Sequence, residues 1–187
     1  MRGGARIENR SHWRDSALIL LSARMNNHIP DHEAHSMKLA HINLVARDAQ
    51  ALAAFYIDVM KCELLRSPRT LSGEKVSRGN GLADSEILSI WLKFPGIEHP
   101  FLEIHQHKVI HPRERPRVNE PGFGHLSFEV HDLAQAISDI IQAGGSQIAG
   151  TTDFGTPGKP RLIVYLRDPE GNVLELEQSG SAQGLPQ

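Results

Sequence analysis

Two stretches decide the reading of this chain: His41-Ile-Asn-Leu-Val-Ala-Arg-Asp48 and His125-Leu-Ser-Phe-Glu-Val-His-Asp132. Each places a histidine near the start of a strand. Seven residues on (48 − 41 and 132 − 125), each places an aspartate suited to capping a helix. After Asp48, the apolar residues Leu52, Phe55, Tyr56 and Val59 recur at helical spacing. After Asp132 a helix runs to Ala143, where Gly144-Gly145 stops it. Each helix leads into short strands, and each half closes on a strand with a glutamate between aliphatic residues: Phe101-Leu-Glu-Ile104 and Val173-Leu-Glu-Leu176. The separations are comparable, 103 − 41 = 62 and 175 − 125 = 50, the longer half holding the longer loop. The expected fold is therefore α+β. Two βαβββ modules, residues 38–107 and 122–178, are related by a pseudo-twofold axis and form a half-open barrel within one domain, 38–178.

Between these anchors, Leu39 to Ala46, Glu63 to Arg66, Ile87 to Phe94 and Phe101 to His105 read as strands of the first half. The polar stretch Ser67 to Asp84, with Gly73, Gly79 and Gly81, reads as a long functional loop. Pro112, Pro116 and Pro121 make His107 to Pro121 a linker. In the second half, Gly124 to Val130 and Gln147 to Ala149 read as strands. Leu162 to Leu166 and Val173 to Glu177 pair across the turn Asp168-Pro-Glu-Gly-Asn172. Trp91, in an apolar strand, is expected in the core.

Residues 1–37 mix arginines and histidines with no strand pattern, and residues 179–187 are polar. Both are expected to be flexible, and Met37, directly before the first strand, is a place where translation could begin. The formal charge of −2 gives no global attraction to nucleic acid or to an anionic membrane. No apolar run reaches the ~18 residues of a membrane span. The single cysteine, Cys62, can form no internal disulfide, so a reducing compartment, the cytoplasm, is expected, with Cys62 a buried inert thiol.

The duplicated His and Glu carry the chemistry. Alternation along a strand puts either Glu103 and Glu175 or their leucine neighbours on the concave face of the sheet. The same placement in both halves argues for the carboxylates. Two imidazoles and two carboxylates, His41, Glu103, His125 and Glu175, suit one divalent metal, with positions left open for substrate oxygens.

In these residues the chain resembles the vicinal-oxygen-chelate superfamily, which includes glyoxalase I, methylmalonyl-CoA epimerase, extradiol dioxygenases, and fosfomycin and bleomycin resistance proteins. The resemblance covers Lys38 to Gln178. It is most specific at Asp168-Pro-Glu-Gly-Asn-Val-Leu-Glu175, then at Gly124-His125-Leu-Ser-Phe128, then at Leu39-Ala-His41 with Phe55-Tyr56. It implies a homodimer, one divalent metal (Ni, Co, Mn, Zn or Fe) and a small-molecule substrate with adjacent oxygens. Glu103 matches the glyoxalase I ligand pattern. The implied reaction is lyase or isomerase chemistry, in which Glu103 or Glu175 takes a proton next to a carbonyl and the metal stabilises the resulting enediolate or enolate. Glu103 is the preferred mobile base. Two alternatives are an iron-dependent extradiol-type dioxygenase and a non-catalytic protein that sequesters a ligand. Val45 stands where glyoxalase I has arginine and His107 where it has asparagine, and both speak against glutathione as a substrate component.

Four further residues are candidates for substrate or supporting contacts. His105 and His107 follow Glu103 at strand spacing. Lys159 and Arg161 flank a glycine-containing loop.

Overall fold

The computed structural model describes residues 37–180, so the expected N-terminal extension, apart from Met37, and nearly all of the C-terminal tail lie outside the described residues. Nine strands and three helices follow in order: β1 (His41–Val45), α1 (Ala49–Asp58), β2 (Glu63–Ser72), α2 (Glu74–Asn80), β3 (Glu86–Lys93), β4 (Phe101–His107), β5 (Leu126–Glu129), α3 (Leu133–Gln142), β6 (Ser146–Gln147), β7 (Thr152–Asp153), β8 (Arg161–Arg167) and β9 (Val173–Ser179). They form two open sheets. One has the order β1-β4-β3-β2; the other has β5-β9-β8-β6, with β7 also on β8. This is the expected α+β architecture of two related halves, and neither sheet closes into a barrel.

The duplication holds at the level of single hydrogen bonds. Asp48 and Asp132 adopt nearly identical extended conformations (φ −133°, ψ 98° and φ −128°, ψ 98°). Their carboxylates accept from the N–H three residues on, at Ala51 and Gln135. In each half the first strand runs parallel to the last, β1 beside β4 and β5 beside β9. Gln106 at the end of β4 accepts from the Ala49 N–H at 3.0 Å, and Gln178 at the end of β9 accepts from the Leu133 N–H at 2.9 Å. Each glutamine thus occupies an orphan donor of a helix N-terminus and ties that helix to the strand that carries the glutamate.

Alternation along the strands sends Ile90, Leu92, Leu102 and Ile104 toward α1, and Val164, Leu166, Leu174 and Leu176 toward α3. All belong to one buried cluster that also contains Leu52, Phe55, Tyr56, Leu133 and Ile140. Burying each of the larger aliphatic or aromatic side chains stabilises the fold by about 1.5–3 kcal/mol. The halves are also joined by polar contacts. The buried Tyr56 hydroxyl donates to Asp168 at 3.1 Å, and Glu170 accepts from the N–H groups of Arg47 and Asp48 at 2.8 and 3.1 Å. The Asp168–Asn172 segment closes as the expected tight turn, with the Gly171 N–H on the Asp168 carbonyl and Gly171 at φ 90°.

Four expectations are corrected. The stretch Ser67 to Asp84 is not a loop: β2 continues through Ser72, and α2 occupies Glu74–Asn80. The strand expected at Gln147 to Ala149 lies one residue earlier and is shorter, Ser146–Gln147. The last strand of the first half extends through His107, so the linker begins later than expected. Trp91 faces away from the core, as described below. Cys62 is buried as expected, and burial pushes its thiol up to about 12. Among the described residues no helix is long and apolar enough to cross a membrane.

Candidate metal centre

The side of each sheet opposite its helix carries the polar residues. On β4 the sequence Phe101, Glu103, His105, His107 faces this way, and the ladder aligns Asn43 of β1, Glu103 of β4 and Trp91 of β3 in one row. On the other sheet the corresponding row is Ser127 of β5, Glu175 of β9 and Tyr165 of β8. Each glutamate is therefore flanked by a small polar residue on one side and an aromatic polar residue on the other.

Both glutamates are buried, and each has its histidine close by. His41 Nε2 lies 3.5 Å from Glu103 Oε2, and His125 Nε2 lies 3.7 Å from Glu175 Oε2. Side-chain exposure matches as well: 44% and 12% for the first pair, 37% and 11% for the second. Each pair is thus a buried carboxylate with an accessible imidazole above it. Two donors at about 2.1 Å from one tetrahedral metal stand about 3.4 Å apart, so both pairs fit two adjacent ligand positions with little movement. Among the described residues, no three histidine, cysteine, aspartate or glutamate side chains gather closely enough to hold a metal together. The four expected ligands form two pairs in one chain, and not one set of four.

The surroundings of the pairs differ. Glu103 Oε1 accepts from Trp91 Nε1 at 2.8 Å, and Oε2 accepts from Asn43 Nδ2 at 3.0 Å. Trp91 Nε1 also reaches Ser89 Oγ at 3.0 Å. His105 Nε2 comes within 2.9 Å of Glu103 Oε1 without the alignment of a hydrogen bond, so this buried nitrogen has no hydrogen-bond partner among the described residues. Burial pushes the Glu103 carboxyl up. The charge of His105, the bond from Trp91 and the charge of His41 together outweigh it and hold the carboxyl below its ordinary value. Burial, and then His105, push His107 down.

In the second half Ser127 Oγ lies 3.0 Å from Glu175 Oε1 and 3.1 Å from Glu177 Oε1; its one proton serves either carboxylate in turn. Hydrogen bonding to Glu175 raises the Tyr165 hydroxyl above its ordinary value. Arg161 donates through Nε to Glu177 at 2.8 Å, and this bond is the main reason the Glu177 carboxyl stays low. Of the four further candidates, His105 adjoins Glu103, His107 continues the same face, Arg161 is committed to Glu177, and Lys159 lies exposed in the loop after β7.

Sequence reading missed Asn43, Trp91, Ser127 and Tyr165 as neighbours of the glutamates, and Gln106 and Gln178 as helix ties. The two glutamines carried a legible signal, since Glu103-x-x-Gln106 and Glu175-x-x-Gln178 repeat the same spacing.

Two related open sheets, each with a helix on one face and polar residues on the other, define a class of fold that known proteins share. The family model described as Glyoxalase/Bleomycin resistance protein/Dioxygenase superfamily matches residues 38–176, and the chain belongs to this superfamily. A glyoxalase family protein from Bacillus cereus superposes with a TM-score of 0.71 at 16% identity, over 81% of this chain and 100% of that one. Glyoxalase I from Zea mays superposes with a TM-score of 0.56 at 19% identity, over 80% of this chain and 47% of that one. A glyoxylase/bleomycin resistance protein/dioxygenase domain from Frankia gives 0.52 at 18% identity, over 79% and 96%. At these identities the likeness is one of fold. No curated protein sequence matches the chain.

Proposed function

We propose that this chain is a divalent-metal-dependent lyase or isomerase that removes a proton from carbon next to a carbonyl. The observation that carries the reading is the duplicated pair, His41 with Glu103 and His125 with Glu175, at 3.5 and 3.7 Å in equivalent registers. All four residues would hold the metal. Because they stand as two pairs in one chain, a second copy is proposed to appose the first-half pair of one protomer to the second-half pair of its partner. A homodimer then carries two sites. The ion is one of Ni, Co, Mn, Zn or Fe.

When bound, the metal supplies Lewis-acid charge to the oxygens of a substrate with two adjacent oxygen atoms. Glu103 takes the carbon-bound proton. Its position suits the task, since Trp91 and Asn43 fix the carboxylate from two sides and His105 stands 2.9 Å away to share the charge. Glu175, held by Ser127, remains a ligand. The substrate is a small molecule, an α-hydroxycarbonyl compound or a thioester with a neighbouring carboxylate.

The test is exchange of carbon-bound hydrogen with deuterated water across a panel of such compounds, using protein loaded in turn with each metal. The reading expects exchange that a chelator abolishes. Glu103→Gln should slow it by about 10²–10⁴-fold, the usual contribution of a positioned general base. Oxygen consumption with a catechol by the iron-loaded protein would replace this reading with the dioxygenase. Tight ligand binding indifferent to chelators, with no exchange, would leave a sequestering protein.

A further inference from the structure

We propose that Arg66 and Arg69 form an oxyanion-binding subsite on the same face as Glu103, taking a carboxylate or phosphoryl group of the substrate. Three observations carry it. The first is parity. Arg66 pairs with Trp91, and Arg69 pairs with Ser89. Trp91 and Ser89, two residues apart, share a face, whereas residues three apart on a regular strand would not. The ladder shifts register between Arg66 and Arg69, around Ser67 and Pro68, and this irregularity turns both arginines to the Glu103 side. Pro68, with no N–H to donate, is tolerated at such a place.

The second observation is the state of Arg66. Its guanidinium carbon lies 3.7 Å from the centre of the Trp91 ring, and its Nε is buried with no hydrogen-bond partner. A guanidinium held over an indole can still offer its outer edge for bidentate recognition of an oxyanion. The buried Nε has lost water without gaining an acceptor, so the indole and no hydrogen-bonding group holds this guanidinium among the described residues.

The third is contrast. Arg47 is committed to Glu170, Arg161 to Glu177, and Arg167 to the carbonyls of Pro116 and Gly171. Among the described residues, neither Arg66 nor Arg69 joins an ion pair.

Trp91 links the subsite to the candidate metal pair, since the same indole donates to Glu103 at 2.8 Å. β2 and β4 flank β3, so their backbones lie about 10 Å apart at ordinary strand spacing. The substrate would therefore be an acid whose anionic group is separated by several bonds from the pair of oxygens that chelates. That last statement rests on the metal reading above; the oxyanion site itself does not.

The experiment is titration of inorganic phosphate by calorimetry at low ionic strength. It compares the full-length protein as purified with Arg66→Gln, Arg66→Lys, Arg69→Gln and His41→Ala, and the metal content of each is measured in parallel. The expected result is phosphate binding weakened about tenfold or more in Arg66→Gln. Arg66→Lys should fall between wild type and Arg66→Gln, since it keeps charge but not the fork. Arg69→Gln should be weakened less than Arg66→Gln, and His41→Ala should bind as wild type does. Equal affinity in wild type and Arg66→Gln overturns the subsite, as does wild type that binds no phosphate. Loss in His41→Ala alone also overturns it, because the phosphate would then sit on the metal. If Arg66→Gln does not fold, unchanged binding in Arg69→Gln overturns the subsite. Arginine-dependent phosphate binding in a wild type that cannot be loaded with metal would uphold the subsite while removing the metal reading.

Discussion

The first half and the second half share a plan and differ in charge. Each lays a buried glutamate between a polar neighbour and an aromatic one, with an accessible histidine beside it. Beyond that row the first half adds His105, His107 and, through the ten-residue β2, Arg66 and Arg69. The second half adds Glu177, neutralised by Arg161, and has only the two-residue strands β6 and β7 beyond β8. The two halves thus keep the same His/Glu pairs, while the strand arginines without a hydrogen-bonded partner among the described residues, Arg66 and Arg69, stand on the first-half sheet only. On this account the shared row supplies chemistry and the unshared strand supplies selectivity.

The sharpest way to break the comparison is to inactivate the halves separately. A variant lacking His41 and Glu103 and one lacking His125 and Glu175 should each lose metal-dependent activity by at least about 10²-fold. If sites form between copies, unfolding and refolding the two together should restore activity, because one site of each mixed dimer is intact. A mixture as inactive as its parts would place both pairs in one site within a single chain.

A smaller effect separates the helices. Tyr56 of α1 and Ile140 of α3 stand at equivalent distances from their caps, and both are buried. Only Tyr56 reaches across, to Asp168. Tyr56→Phe should cost about 1–2 kcal/mol in denaturant unfolding, since the buried Asp168 loses a donor. Asp168→Ala should cost more, about 3 kcal/mol, because the bonds from Tyr56, the Asn172 N–H and the Asn172 amide all go. Equal costs would mean that the tyrosine bond is the whole link.

Gln106→Ala and Gln178→Ala remove matching ties and should each cost about 1 kcal/mol. A large inequality would show that the two helices are not held alike.

The smallest effect expected is in acid. Glu103 and Glu177 are both held below the ordinary carboxylate value, by His105 and its neighbours in one half and by Arg161 in the other. A carboxyl lowered in the folded state contributes stability above its unfolded pKa, and that stability is lost as pH falls through the folded value. The melting temperature should therefore drop as pH falls below about 4.5, the ordinary glutamate value. Added salt should weaken the Arg161 part, which is solvent-exposed, more than the buried Glu103 part.

The duplicated frame was legible because its signals are local. Asp48 and Asp132 cap as their side chains allow, and Asp168 to Asn172 turns as its glycine allows. What lay hidden depended on context. β2 is an edge strand in which Leu64 and Leu65 are adjacent and Pro68 interrupts the polar run that follows, so it carries no alternation to detect. α2 buries none of its seven residues and shows no apolar stripe. Ile90, Trp91 and Leu92 are all apolar in sequence; only the ladder shows that Trp91 turns to Glu103 while its neighbours turn to the core. Arg66 and Arg69 share a face only because of the register shift between them, which spacing cannot reveal.

The metal content of the purified protein is decisive, measured by elemental analysis in wild type, His41→Ala, Glu103→Ala, His125→Ala and Glu175→Ala. The account expects about one metal ion per chain in the wild type, and its loss in a first-half variant as completely as in a second-half one. Metal retained when either half has lost a ligand would contradict the shared site, and a wild type that cannot be loaded would contradict the metal altogether.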